Sequence, residues 1–290
     1  MISTINNEYL EVRVKSIGAE LTSIKTVKDD FEYLWQGDPA YWSGQAPVLF
    51  PVIGMLEDLK YTLGKDEYEL ESHGFARNSE FVLVENEPGK LVYQLEHSNE
   101  TLKKYPFKFL LELTYILDNH VLITRYTVKN TGDQTMWYSI GAHPAFNCPL
   151  EPEKAMEDYV LEFEQCEQVQ RRFLENGLLG NRKEVFLDDE NTVKLSHRLF
   201  DQLAIVLKGI QSKHVTLKSE KAEKHVTVTL DGFPYLGIWS PVGEAPFVCI
   251  EPWFGVSSTK GSSLDIREKE GILSLEAGKT FECELKIIVA

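Results

Sequence analysis

Four segments of this chain combine imidazoles, carboxylates and aromatic rings in strand-like surroundings. They are His73-Gly74-Phe75-Ala76-Arg77, Gly141-Ala142-His143-Pro144-Ala145-Phe146-Asn147, Asp231-Gly232-Phe233-Pro234-Tyr235-Leu236-Gly237-Ile238-Trp239 and Cys249-Ile250-Glu251-Pro252-Trp253-Phe254-Gly255. Rings of this kind stack on the C–H faces of sugars, while acids, bases and Arg hold hydroxyls. One His and one Glu converging at such a place can move protons at an anomeric carbon. His143 precedes Pro144, which biases its backbone to an extended shape. It follows the apolar run Met136-Trp137-Tyr138-Ser139-Ile140, so its imidazole is expected in a partly dry place where its pKa shifts easily. Glu251 ends the apolar run Phe247-Val248-Cys249-Ile250. A carboxylate there is costly unless paired or used, and burial raises its pKa toward the range of a general base. His73 stands beside Gly74, which allows a sharp turn or a close approach. Arg77 offers a fork of donors to hydroxyls or phosphate. Each has a blander reading as well: a structural turn for His73 and Arg77, a core imidazole for His143, a buried ion pair for Glu251. Trp42, Trp239, Trp253 and Phe254 are candidate sugar platforms, although any single ring of this kind is more often simply core.

The elements that must position these groups read as strands. Tyr9 to Lys15 and Val226 to Leu230 alternate apolar and polar residues. Phe81 to Val84 and Leu91 to Leu95 flank Pro88-Gly89-Lys90, and Leu111 to Leu117 and Val121 to Val128 flank Asp118-Asn119-His120, so two hairpins are expected. Thr280 to Ile287 closes the chain as a strand, and Pro47 to Gly54 reads as a buried strand bounded by prolines. Helical periodicity is weak. Short helices are predicted from Asp38-Pro39 through Trp42, since Asp before Pro starts helices well, and around Glu151 to Glu157. The polar stretch Glu167 to Asn191, with Asn176-Gly177, is expected as an excursion over the surface. No repeat and no Pro/Ser-rich linker divides the chain, so residues 1–290 are expected to form a single all-β domain, a large antiparallel β-sandwich with few short helices.

Composition narrows the function. The chain has 290 residues, 43% hydrophobic and 26% charged, and a formal net charge of −15. Nucleic acid and anionic membrane surfaces need clustered Lys and Arg, so neither is an expected partner. The four cysteines, Cys148, Cys166, Cys249 and Cys283, show no Cys-x-x-Cys or Cys/His spacing of a zinc site, and no metal or cofactor is expected. The first residues lack a basic segment followed by an apolar run, and no apolar stretch is long enough to span a bilayer, so the expected location is cytoplasmic. No Gly-rich phosphate loop and no Gly-x-Ser-x-Gly elbow is present.

In order along almost the whole chain, Leu49-Phe50-Pro51, His73-Gly74-Phe75-Ala76-Arg77, His143-Pro144-Ala145-Phe146, Phe233-Pro234-Tyr235-Leu236-Gly237-Ile238-Trp239 and Glu251-Pro252-Trp253 resemble the aldose 1-epimerase (galactose mutarotase-like) family, in particular its LacX-type branch. The resemblance implies a large antiparallel β-sandwich with an open carbohydrate cleft and metal-free interconversion of α and β anomers. It implies Glu251 as the base at the C1 hydroxyl and His143 as the acid at the ring oxygen. His73 and Arg77 would bind substrate. It also implies a sugar-binding Asp in a Leu-Phe-x-x-Asp-Ala setting. Here the text is Leu199-Phe200-Asp201-Gln202-Leu203-Ala204, so Asp201, two positions early, is read either as the substitute, if that segment is extended, or equally as a surface residue. A basic residue is expected between Gly54 and Leu56, where this chain has Met55. Trp253 completes the expected binding set. The expected ligand is a small sugar, a hexose or hexose phosphate, with the chain a monomer or homodimer. Two further readings stay open: a hexose-6-phosphate 1-epimerase, which needs basic side chains converging at one end of the cleft, and a non-catalytic carbohydrate-binding or regulatory protein on the same fold.

Overall fold

The computed structural model describes residues 1–290. Strands dominate, and every pairing between named strands that builds the site is antiparallel. A three-stranded sheet of Ile2–Asn6, Leu10–Lys15 and Glu20–Thr26 stands beside a 15-stranded sheet. The large sheet runs from Val48–Leu49 through Ile140–Ala142, Phe247–Phe254, Tyr235–Trp239, Ile205–Lys208 and Val160–Glu175. It continues through His214–Lys218, Val226–Thr229, Thr280–Val289, Val121–Asn130, Phe109–Asp118 and Lys90–Glu96 to Val82–Glu87.

The two halves of this path face each other across one apolar core. Phe50 meets Phe109 with ring centroids 5.1 Å apart, and Phe254 meets Phe281 at 5.2 Å. The small sheet joins the same core, where the Tyr115 hydroxyl donates to the Ala19 carbonyl at 2.7 Å. The β-sandwich expected from the strand pattern is therefore the observed architecture. Both hairpins form, as Val82–Glu87 with Lys90–Glu96 and as Phe109–Asp118 with Val121–Asn130. No helix is long and apolar enough to cross a membrane.

Four local expectations are corrected. Asp38 to Trp42 makes a single turn: Asp38 accepts from the amides of Ala40 (at its carboxylate) and of Tyr41 and Trp42 (at its carbonyl). Further along, the Glu20 carboxylate accepts from the amides of Gln45 and Ala46 at 2.8 and 2.9 Å and fixes the chain in its departing course. Around Glu151 to Glu157 only a 3-10 turn, Met156–Asp158, forms. The one α-helix is Asn99–Lys104, started by a reciprocal cap between Ser98 and Thr101. Pro47 to Gly54 is strand only at Val48–Leu49, because Pro51 has no amide to continue the ladder.

Glu167 to Asn191 is more regular than an excursion. It belongs to a long hairpin of Val160–Glu175 and Leu178–Lys194, closed by Asn176 and Gly177 at φ of 53° and 85°. Two successive positive φ values are what a two-residue hairpin turn demands, and Asn-Gly supplies them.

Candidate active site

Strand Phe247–Phe254 looks like a continuous apolar run because both of its faces are covered. Val248 and Ile250 point into the main core, whereas Phe247, Cys249, Glu251 and Trp253 share the opposite face. His143 reaches that face from the neighbouring chain. Gly141 pairs with Trp253, and Ala145 pairs with Cys249. The residue midway, His143, therefore stands opposite Glu251, at the point where Pro144 interrupts the ladder. On the other side, Glu251 pairs with Gly237, Gly237 with Val206, and Val206 with Arg172. Directly paired residues present their side chains to the same face, so one row crosses five segments of chain.

His143 Nε2 lies 3.1 Å from Glu251 Oε2, and both side chains are buried. The contact is close but not aligned as a hydrogen bond. Glu251 Oε2 and His143 Nδ1 are left without hydrogen-bond partners, an expensive state for buried polar atoms unless a ligand completes it. Burial pushes the Glu251 carboxyl well above the usual carboxylate range. Burial, with a smaller contribution from His73, pushes His143 well below that of a free imidazole. Perturbed groups that face one another in a cavity are the mark of a functional site.

Aromatic rings fix the imidazole. Trp42 stacks on His143 at 5.0 Å and 30°, and Trp239 meets it edge-on at 5.5 Å. The Trp42 loop is pinned by Glu20 and by Trp35, whose Nε1 donates to the Trp42 carbonyl at 2.9 Å. The small N-terminal sheet thus positions one wall of the site. Trp253 lies over two glycines. A Cβ at Gly141 would stand 2.7 Å from its ring, and one at Gly237 would stand 2.4 Å away.

His73 and Arg77 arrive on a tight segment. His73 and Gly74 both have positive φ, at 63° and 69°. A Cβ at Gly74 would meet the Phe50 carbonyl oxygen at 2.4 Å, so close approach of backbone, not of ligand, requires this glycine. The His73 amide donates to the Gly54 carbonyl at 2.8 Å, and the Gly54 amide donates to His73 Nδ1 at 3.2 Å. With Nδ1 an acceptor, the neutral ring carries its proton on Nε2. Burial, and next the Arg77 charge, lower His73 to about 3, which keeps it in that form. Arg77 donates to the Ser72 carbonyl at 3.0 Å, its Nε has no partner, and no carboxylate pairs with it.

These groups line a cavity of about 310 Å³, small enough for a monosaccharide. Glu251, His143, His73, Arg77, Trp253, Trp42 and Trp239 all reach it. Asp201 does not. It is exposed at the end of the 3-10 turn His197–Phe200, with φ −57° and ψ −22°. The same-face argument holds only for extended chain, and this segment is not extended. Phe254 is likewise core, packed on Phe233 and Phe281. Sequence reasoning missed Leu174, Gly177, Leu203, Ala204 and Val206 as lining residues. Apolar side chains look like core, and only Asn176-Gly177 marked the hairpin tip that overhangs the cavity.

The fold also brings Cys249 Sγ within 4.8 Å of the His143 and Glu251 ligand atoms, a grouping that chain spacing could not reveal. A soft divalent ion could find one nitrogen, one sulfur and one oxygen there. Burial, however, raises the Cys249 thiol well above its ordinary value, which disfavours the thiolate that ligation requires.

Residues 1–262 match the family model described as aldose 1-epimerase. The chain belongs to the aldose 1-epimerase family. It is 40% identical over 268 residues to the plasmid-encoded protein LacX of Lactococcus lactis, covering 89% of each chain. It superposes on a galactose mutarotase related enzyme from Lactobacillus acidophilus with a TM-score of 0.96 at 33% identity, covering 100% of this chain and 97% of the other. A galactose mutarotase-like protein from Lactobacillus casei gives a TM-score of 0.93 at 33% identity, with both chains fully covered. Membership of this family supports a sugar-epimerase role.

Proposed function

We propose that the chain, working as one domain, is an aldose 1-epimerase that interconverts the α and β anomers of a free hexose. The observation that carries this reading is the buried His143–Glu251 contact of 3.1 Å at the floor of a monosaccharide-sized, aromatic-walled cavity.

Opening a cyclic hemiacetal removes one proton from the C1 hydroxyl and adds one to the ring oxygen. Burial favours the uncharged pair, with the shared proton on Glu251. Moving that proton across to His143 gives a carboxylate and an imidazolium, a state that the sugar hydroxyls bound in the cavity stabilise. Glu251 then takes the C1 hydroxyl proton while His143 protonates the ring oxygen, and the C1–O bond to the ring breaks. The C1–C2 bond rotates, the hydroxyl attacks the other face of the aldehyde, and the two protons return. Two fixed groups supply both transfers, so the chemistry calls for no cofactor and no metal.

A neutral hexose is favoured over a hexose phosphate because Arg77 is the only cationic side chain lining the cavity. The four free cysteines suit a reducing compartment, in keeping with a cytoplasmic enzyme. Glu251→Gln and His143→Gln are each expected to lower kcat by roughly 10²- to 10⁴-fold while hexose binding persists. Full rates in both variants would falsify this mechanism.

A further inference from the structure

Among the residues that line the cavity, Met55, Leu174, Leu203, Ala204 and Val206 form an apolar wall. Val206 lies two strands beyond Glu251 on the side away from His143, roughly 10 Å across the sheet. The His73 ring, by contrast, stands 5.7 Å from that of His143 and so lies beside the reacting pair. The Ser257 hydroxyl, which also lines the cavity, accepts from the Met55 amide at 3.2 Å and keeps its own O–H free, so it marks the polar border of this wall.

Leu203 is the unusual member of this wall. Its φ is +65°, in the left-handed region that leucine rarely adopts. Its amide donates to the Phe200 carbonyl at 3.0 Å, which closes the turn that holds it there. It is also 41% exposed, so core packing does not explain why an apolar side chain occupies a strained position at the cavity mouth. Backbone strain of this kind is retained where the surrounding structure uses it.

We propose that Leu203 and this wall are a specificity device that selects a deoxy sugar, one presenting CH2 or CH3 where an ordinary hexose presents CHOH or CH2OH. The proposal rests on the epimerase reading of the same cavity and names its substrate class. A hydroxyl pressed against the side chains of Leu174, Leu203, Ala204 and Val206 loses part of its water and gains no hydrogen bond from them, whereas a methyl or methylene packs there. An apolar wall discriminates a hydroxyl by no more than about 100-fold, so a preference of roughly 10- to 100-fold is expected.

The test measures anomer exchange by NMR for glucose and galactose beside their 2-deoxy and 6-deoxy analogues. At least one deoxy sugar is expected to exceed its parent tenfold or more in kcat/KM, chiefly through KM. Leu203→Asn, which tolerates positive φ and supplies polar atoms, is expected to keep its melting temperature and shrink that ratio several-fold. Parents and analogues within twofold of each other, or a ratio unchanged in Leu203→Asn, would overturn the proposal while leaving the epimerase reading intact. Exchange on no sugar at all would overturn both.

Discussion

Gly237→Ala probes the link between sheet packing and catalysis. The new Cβ would stand 2.4, 2.5 and 3.0 Å from three ring atoms of Trp253. Ordinary carbon contacts begin near 3.5 Å, so the indole must retreat by about 1 Å. It has little freedom to do so, because Gly141 presses on its other edge and its Nε1 donates to the Ala142 carbonyl at 3.2 Å. Overpacking of this kind costs about 1–3 kcal/mol, and losing the indole hydrogen bond adds about 1 kcal/mol. A loss of about 2–4 kcal/mol is therefore expected in urea unfolding followed by tryptophan fluorescence. Trp253 shares the face of Glu251, two residues away, so the same displacement is expected to slow anomer exchange by on the order of 10²-fold. Adding Trp253→Phe removes the clashing ring atoms and should recover most of the stability that Gly237→Ala costs relative to Trp253→Phe alone. An unchanged unfolding midpoint with full activity, or a penalty that persists undiminished in the double variant, would refute the packing argument.

Two other perturbations give signed outcomes. Burial raises Glu270, but hydrogen bonds from Arg172 and Lys208 outweigh it and bring its pKa to about 2. A depressed carboxyl contributes stability above its unfolded pKa that is lost as pH falls through 4.5 toward 2, so Glu270→Gln is expected to cost about 2–3 kcal/mol at neutral pH and progressively less in acid. Parallel stability curves for variant and parent would contradict this. His73 is depressed to about 3, so below pH 6.5 the unfolded chain takes up a proton that the folded one refuses. Stability falls with pH across that window by up to about 1.4 kcal/mol per unit. His73→Asn, which tolerates the positive φ, is expected to lose about 2 kcal/mol less than the parent between pH 6.5 and 4.5 in urea titrations, and an identical loss would show that His73 is not the sensor.

The strand content and both hairpins were legible because alternation and turn residues are local signals. The long hairpin Val160–Glu175 with Leu178–Lys194 was legible only at its turn. Much of it overhangs the sheet, exposed, and its runs of charge hide the alternation. The facing of His143 and Glu251 depends on pairing between segments more than a hundred residues apart, which no local pattern encodes. Their roles were readable only through motif resemblance. Asp201 misled because a short 3-10 turn was read as extended chain. Leu203 was invisible as a site residue because nothing in its type distinguishes cavity wall from core.

The most direct test of the central claim is NMR saturation transfer between the anomers of glucose, galactose and their deoxy analogues, with the native chain and with Glu251→Gln. Protein-dependent exchange on at least one sugar that Glu251→Gln abolishes is the expected result. Sugar binding with no added exchange on any of them, or exchange that survives the substitution at full rate, would contradict the assignment of the His143–Glu251 pair as the proton-transfer centre.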